Sequence, residues 1–350
     1  MFSCKFSGYN AVANIACQVF RALRAAQGFC KNIGKVRCAF CRGEYRFDKK
    51  PALLCLLLVK YFFIDGHNLS FRSFYALPDL RNKDSFPTGA LHAFSAAIFG
   101  FASMHCPHDT AIFFDKGRSK RHTEIRSEYK ANRSSMPDDM RLQMPYIKEI
   151  CAAMGFAVVE REGIEGDDLL GSAVQKVKDD AEEIYILSSD KDFAQLVAPK
   201  VYQLLPPVKS SDGWRQLDIV AVRAKFGVSP AEMVDYLSLM GDNADNIEGL
   251  AGVGPKTAAK WIKDFGSVEN IIKRADWIKP EKFRAQIAEK ADLLRANTQL
   301  IRLKCDYDIG SLENSKPDFE KLVQIFEKMA LKRSMELLKR YAWEDWQVRL

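Results

Sequence analysis

The sequence predicts an α/β fold, a mostly parallel central sheet with helices on both faces, and three apolar runs predict it. Phe62-Phe63-Ile64 leads into Asp65, and Ala111-Ile112-Phe113-Phe114 leads into Asp115. Ile184-Tyr185-Ile186-Leu187 leads through Ser188 and Ser189 into Asp190 and Asp192. Short unbroken apolar runs separated by helix-patterned segments read as strands buried on both faces. Ligands in such sheets sit beyond the carboxyl ends of the strands, which is where each run delivers an acid. One Asp after a strand is ordinary turn chemistry, but three strand ends in succession are harder to assign to turns.

The first of these strands hands over to Asp65-Gly66-His67-Asn68 and a helix-patterned segment carrying Arg72. His67 reads as a loop residue, because no second His stands at a metal-type spacing. Thr88 to Met104, rich in small residues and Phe, reads as a core helix. After Asp115 the texture changes: Lys116, Arg118, Lys120, Arg121, Arg126, Lys130, Arg133 and Arg141 surround Tyr129. A basic run is often only a solvated face. Directly behind an acid-bearing strand it reads instead as a phosphate-gripping element, with Tyr129 offering a ring on which a base can stack.

A helix over residues 141–154 and a strand over 156–159 precede Gly163-Ile-Glu-Gly-Asp-Asp-Leu-Leu170, which places Glu165, Asp167 and Asp168 where a helix begins. Leu169, Leu170, Ala173, Val174 and Val177 give that helix one apolar face. The helix dipole favours acids in the first turn by only about 0.3 to 1 kcal/mol. N-terminal charge preference and a metal site therefore both fit these three acids, and the other acidic strand ends favour the metal. Residues 201–205 read as a further strand, with Pro206-Pro207 and Ser210 to Gly213 marking a hairpin turn.

From Asp218 the pattern becomes helical, so the expected division is 1–60 leader, 61–217 core with its basic insertion at 116–141, and 218–350 helical region. The helical region carries the acidic loop Gly241-Asp242-Asn243-Ala244-Asp245-Asn246 at the end of a helix-like segment. It continues with Gly252-Val-Gly254-Pro-Lys256-Thr257, followed by Lys260. Two glycines and a Pro at a first helical position make a hairpin whose bare backbone N–H groups suit a phosphate.

Composition agrees with a globular chain: 47% of residues are hydrophobic and 28% charged, and the longest apolar run, Ala52 to Ile64, is broken by Lys60. The formal net charge of +7 is uneven. Residues 1–60 hold eleven Lys or Arg against two Asp or Glu, so residues 61–350 are about −2. Gathering the acids named above into one site would leave a basic surface around an acidic centre, as suits an enzyme acting on a polyanion. Six of the nine Cys precede residue 56, and Cys106, Cys151 and Cys305 read as buried thiols of a reducing compartment. Up to residue 43 there is no acid, and Ala11 to Arg24 has the look of a targeting peptide. Organelle targeting and a disordered or non-native leader are the two readings of this stretch, the second being preferred. Cys38 and Cys41, with Cys30 upstream, lack the second ligand pair that a zinc site requires.

Together, Phe63-Ile64-Asp65-Gly66, Phe114-Asp115, Tyr129-Lys130-Ala131-Asn132-Arg133, Glu165-Gly166-Asp167-Asp168, Ser189-Asp190-Lys191-Asp192, Gly241-Asp242 to Asp245-Asn246 and Gly252 to Ala258 resemble the 5′ nuclease family. That family comprises flap endonucleases and 5′–3′ exonucleases, including the N-terminal domain of bacterial DNA polymerase I. The resemblance covers roughly residues 61–310 in order. It implies a nuclease core, a helical arch over the active site, and a helix-three-turn-helix module that grips duplex DNA. The family's metal-binding acids fall on Asp65, Asp115, Glu165, Asp167, Asp168, Asp190, Asp192, Asp242 and Asp245.

The same resemblance places the arch cations on Lys130 and Arg133, an early Arg on Arg72, and the DNA-gripping hairpin on Gly252, Gly254, Lys256, Thr257 and Lys260, with K⁺ assisting there. Tyr129, Arg121 and Arg126 are expected to add DNA contacts. Where polymerase-linked members carry an Arg, His122 stands here with Arg121 before it, so the arch contacts are expected to be rearranged. Nothing resembling a polymerase follows, which points to a stand-alone nuclease. The expected cofactors are two Mg²⁺ ions, with Mn²⁺ able to substitute. The expected partners are DNA 5′ ends, flaps and nicks, met by a monomer in the cytoplasm, at the bacterial nucleoid, with no membrane.

All the family's acids being present weighs against a non-catalytic DNA-binding protein on the same fold. The hairpin, which tracks a backbone, weighs against an RNA nuclease, and the basic arch against a phosphatase of small substrates.

Overall fold

The computed structural model describes residues 35–37, 44–46, 60–105, 109–207 and 213–344. The chain forms two compact units, one of Met1–Leu58 with Arg340–Leu350 and one of Val59–Lys339. In the first, Lys35–Arg37 pairs antiparallel with Glu44–Arg46. The candidate zinc cysteines and the targeting-like helix lie outside the described residues.

The second unit carries the predicted sheet. Its six strands are β1 (Lys60–Asp65), β2 (Asp109–Lys116), β3 (Ala157–Glu162), β4 (Glu183–Leu187), β5 (Val201–Leu205) and β6 (Arg215–Leu217). They lie in the order β3-β2-β1-β4-β5-β6, all parallel except the last pair. The central strands are apolar on both faces because helices cover both. Phe62 turns one way, its ring 5.1 Å from Phe101 of α2 (Gly89–His105). Phe63 turns the other way, into a core with Leu169, Leu170 and Ala173 of α5 (Gly166–Val177).

α1 (Gly66–Ala76) follows β1 directly and packs on α2, while α4 (Asp138–Ala153) returns the chain to β3. The basic insertion holds one short helix, α3 (Lys120–Ile125), and then a run of turns.

A second core joins the helices α6 (Ile219–Phe226), α7 (Met233–Met240), α8 (Pro255–Phe265), α9 (Val268–Lys273), α10 (Arg284–Glu289) and α11 (Ala291–Ile301). Trp261, Ile271, Ile287 and Leu294 fill it, each at most 1% exposed. Between α7 and α8 the acidic loop forms a two-rung ribbon, Gly241–Asp242 against Ile247–Glu248. Gly241 is at φ 75°, and a Cβ there would meet the Gly249 amide nitrogen at 2.4 Å, so only glycine fits.

The expected helical block from 218 to the C-terminus does not stay together. Beyond Ile301 the chain returns to the sheet, where the Thr110 amide donates to Asn314 (3.1 Å) and the Ser315 amide to the Gly155 carbonyl (2.9 Å). Ile309 and Leu312 enter the core beside α5, and α12 (Phe319–Lys328) packs on α4. α13 (Lys332–Glu344) ends the described chain. Apolar residues spaced along an extended segment carry this return, and helical periodicity has no sensitivity to them.

Candidate active site

Parallel strands end on one edge, so β1, β2 and β4 deliver Asp65, Asp115 and the Ser188–Asp192 turn to the same place. Asp65 caps α1: one carboxylate oxygen accepts from the Asn68 amide (3.0 Å), the other from the Ser188 hydroxyl (2.7 Å). Asp115 accepts from the Gly166 amide at 2.6 Å and so steadies the start of α5. Glu165 precedes that helix, Asp167 stands in its first turn, and Asp190 accepts from the Asp192 amide (2.9 Å).

Burial and mutual repulsion push Asp65, Glu165, Asp167 and Asp190 up. Asp65 titrates at about 7, first because it is buried and then because Asp190 and Asp115 oppose its charge. Burial followed by Asp65, Asp190 and Asp115 raises Asp167 well above the usual carboxylate range. Asp192 behaves likewise through burial, Asp190, Asp245 and Asp242, and its Oδ1 is buried with no hydrogen-bond partner. The acids are therefore short of positive charge.

The basic insertion supplies some of it. Lys130 stands at φ 55°, held there by donating its amide to the Asp245 carbonyl (3.0 Å). That backbone brings its ammonium to 2.8 Å from Glu165 Oε2 and 3.9 Å from Asp245 Oδ2. Arg133 pairs with Asp245 through its guanidinium and donates Nε to the Ala244 carbonyl (3.3 Å). Asn132 donates to the Asn243 carbonyl (2.6 Å), and Asn246 donates back to the Glu128 carbonyl (2.8 Å). Residues 128–133 are thus sewn onto the acidic loop, while Lys191 meets Asp242 at 3.0 Å.

Four expected roles are corrected by these positions. Tyr129 offers no face to a base: it is 7% exposed and stacks on His122 at 4.6 Å between centroids. Its hydroxyl lies 3.2 Å from Asp245 and 3.4 Å from Glu165, so burial has recruited it to hold acids. Arg121 donates to the Gln299 and Arg302 carbonyls (3.2 and 3.0 Å), satisfying the open C-terminal end of α11. Arg126 donates to Asn297 (3.2 Å). Both guanidiniums are anchored on α11 and its C-terminal end and stay partly exposed. His67 belongs to α1, and its Nδ1 accepts from the Asp115 amide (3.0 Å).

Asp168 parts from its neighbours. It is 1% exposed, accepts from the Lys304 amide (2.9 Å) and lies 3.5 Å from Arg121 Nε. Arg72 is exposed and donates to the Pro207 carbonyl.

Sequence reasoning missed Gln203 and Ser188. Gln203, buried in β5, donates to the Ser188 and Asp190 carbonyls (2.9 and 2.6 Å) and fixes the turn that presents Asp190. A polar residue inside the apolar run 201–205 was the available signal. His122 was noticed only as a departure. It is 2% exposed, its Nδ1 meets the Ser119 hydroxyl (2.7 Å) and its Nε2 the Leu300 carbonyl (3.1 Å). Burial, then Arg121 and Lys130, depress it to about 3, so it stays neutral.

All these donors are hard oxygens, the kind that Mg²⁺ and Mn²⁺ prefer, and the unpartnered Asp192 oxygen fits the same purpose. Among the described residues no three acidic, His or Cys groups close around one point at ligand spacing. The acids are gathered at longer range, with Lys130 beside Glu165 and Asp245, and Arg133 beside Asp245.

Directly after the acidic loop in sequence, the hairpin is bare. Gly252 takes φ 78°, where glycine is favoured, and Lys256 and Lys260 are exposed, Lys260 pairing with Asp264 at 2.5 Å. Gly254 precedes α8 without a side-chain cap, and a Cβ there would touch nothing within 4 Å. The fold itself therefore does not require glycine at that position.

Comparison with known proteins agrees with this architecture. Residues 60–227 match the family described as 5′-3′ exonuclease, N-terminal resolvase-like domain, and residues 228–322 match 5′-3′ exonuclease, C-terminal SAM fold. The chain belongs to the 5′–3′ exonuclease family. It is a nuclease, a phosphodiester hydrolase of the 5′–3′ exonuclease kind. A 5′-3′ exonuclease of Aquifex aeolicus is 35% identical over 77% of this chain and 92% of that protein. DNA polymerase I of Caldicellulosiruptor bescii is 34% identical over 79% of this chain but only 33% of its own length.

Among solved structures, T5 5′-exonuclease with divalent zinc ions bound has a TM-score of 0.59 at 22% identity, covering 80% of this chain and 99% of that one. The catalytic core of Rad2 in complex with DNA substrate has a TM-score of 0.56 at 16% identity, covering 82% and 94%. At those identities the likeness concerns the fold. Among the described residues no helix is long and apolar enough to cross a membrane.

Proposed function

We propose that the chain hydrolyses DNA from 5′ ends and nicks and cuts 5′ flaps, as a monomer using two divalent ions, Mg²⁺ or Mn²⁺. The observation that carries this reading is the meeting of acids from three strand ends, one helix start and one distant loop beside Lys130 and Arg133. Asp65, Asp115, Asp167, Asp190 and Asp192 would hold the ions, with Glu165, Asp242 and Asp245 joining once their cationic partners turn to substrate. Asp168, tied to Arg121 and Lys304, supports the start of α5 from behind. Bound ions of this kind supply a hydroxide near neutral pH and neutralise charge on the phosphate and leaving oxygen.

The protein's own groups do the rest. Lys130 and Arg133 pair with carboxylates now and would exchange them for the scissile phosphate, adding positive charge where negative charge builds. His122, held neutral, keeps Tyr129 stacked in place. Exposed Arg72 would steady the strand entering the site. The hairpin Gly252 to Thr257, with Lys256 and Lys260, would hold duplex phosphates on its free amides, and K⁺ would assist there.

The test is a panel of 5′-flap, nicked, blunt duplex and single-stranded DNA cut in Mg²⁺, Mn²⁺ and EDTA. Flap and nick cleavage dependent on the metal is expected. Equal cleavage in EDTA would remove the metal, and a preference for single strands would remove the duplex grip.

A further inference from the structure

Trp277 is 76% exposed, more than any other large apolar side chain among the described residues, although Trp261 in the adjoining helix is 1% exposed. The indole does not hang on a loose loop. Its amide donates to the Arg274 carbonyl (2.9 Å), Ile278 beside it is fully buried, and Arg284 Nε donates to the Ile278 carbonyl (2.9 Å). Trp261 donates its ring N–H to the Lys279 carbonyl (3.2 Å), tying the loop to α8. The loop therefore displays Trp277 from a fixed base.

The surroundings are cationic. Residues 273–284 hold Lys273, Arg274, Lys279, Lys282 and Arg284 against Asp276 and Glu281. Lys273 lies 3.5 Å from Glu269 and Arg284 3.3 Å from Glu281, whereas Arg274, Lys279 and Lys282 have no carboxylate partner among the described residues. The loop is also joined to the hairpin through Phe283. A Cβ on Gly252 would lie 3.7 Å from Phe283, which packs on Trp261 at 5.2 Å between centroids.

We propose that the Trp277 loop is a second duplex-DNA contact that lengthens the hairpin's footprint, with the indole against sugar and Arg274, Lys279 and Lys282 facing phosphates. This rests on the hairpin gripping duplex. A protein partner would ask for further exposed apolar side chains around the Trp, as at the apolar centre of an interface. The other exposed large apolar residues, such as Tyr75, Leu142 and Val220, lie on other elements. A lone exposed ring among cations without carboxylate partners suits a polyanion.

The experiment measures duplex affinity in Ca²⁺ across a salt series for wild type, Trp277→Ala, the double variant Lys279→Ala with Lys282→Ala, and Lys256→Ala. Trp277→Ala is expected to weaken binding about five- to tenfold, the scale of one well-buried aromatic contact, with the salt slope unchanged. The double lysine variant should reduce that slope by about two, since each phosphate neutralised contributes about 0.9. Duplex should also shield Trp277 from acrylamide, read as the quenching lost in Trp277→Phe. Wild-type affinity and slope in both loop variants, with Lys256→Ala still weakened, would overturn the loop contact and leave the hairpin standing. Wild-type binding in all three variants would overturn both. Unchanged melting temperatures are expected, because the substituted side chains are exposed, and they exclude misfolding as the cause.

Discussion

The starts of α5 and α8 are the same backbone feature put to opposite uses. Each helix begins beside a glycine and neither has a side-chain hydrogen bond from its own N-cap, although at the first the Gly166 amide is already taken by Asp115. Around the first, Glu165, Asp167 and Asp115 crowd in, so the site is short of positive charge despite the favourable dipole and Lys130. Around the second there is no acid in the first turn, Lys256 is exposed and Gly254 leaves open space, so the site lacks an anion. The helix end makes electrostatics local, but the neighbouring side chains decide which sign is wanted. In a DNA-cutting enzyme the two would act on one substrate, the first through metal on the scissile phosphate and the second directly on phosphates of the duplex.

Breaking the acidic side should have the largest effect. Asp167→Ala is expected to lower cleavage by about a thousandfold or more while duplex binding stays near wild type, since electrostatic stabilisation at the reacting phosphate is on that scale. Parallel loss of binding would mean that the acid supports the fold instead.

The support behind that side can be tested through pH. His122 titrates near 3 when folded, against about 6.5 when unfolded. Only the unfolded chain takes up the proton between those values. Stability is therefore complete above 6.5 and falls as pH drops toward 3, by about 2 kcal/mol at pH 5. His122→Asn should lose this part of the acid sensitivity, so that chemical denaturation at pH 7 and pH 5 differs less than in wild type. An equal drop in both proteins would place the sensitivity elsewhere.

Gly254→Asp would give α8 the kind of start that α5 has. An acid at this position caps the helix and should stabilise it by a few tenths of a kcal/mol relative to glycine, while repelling phosphate and weakening duplex binding by about ten- to thirtyfold, one charge at close range. Stability and affinity should thus move in opposite directions, read by melting and by anisotropy. The smallest change is Lys256→Ala, expected to weaken duplex binding about fivefold, as one phosphate contact does, and single strands less. The reverse ranking would discredit the hairpin.

Sequence by itself determined the sheet strands, because unbroken apolar runs have few other uses, and it determined which acids stand at their ends. It also marked the hairpin, whose glycine and Pro spacing is a local matter. What only the tertiary structure decided is where each charge is spent. Tyr129, Arg121 and Arg126 are spaced like substrate contacts, yet packing turns one onto His122 and the other two onto α11. Asp167 and Asp168 are neighbours in the chain, but consecutive helical residues point about 100° apart, so one joins the acids and the other meets Arg121 and Lys304. Gln203 gained its role only when β5 came to lie beside β4. Residue type and spacing fix what a side chain can do, whereas partners distant in sequence fix which of those things it does, because hydrogen bonding and charge pairing act over a few ångströms of space.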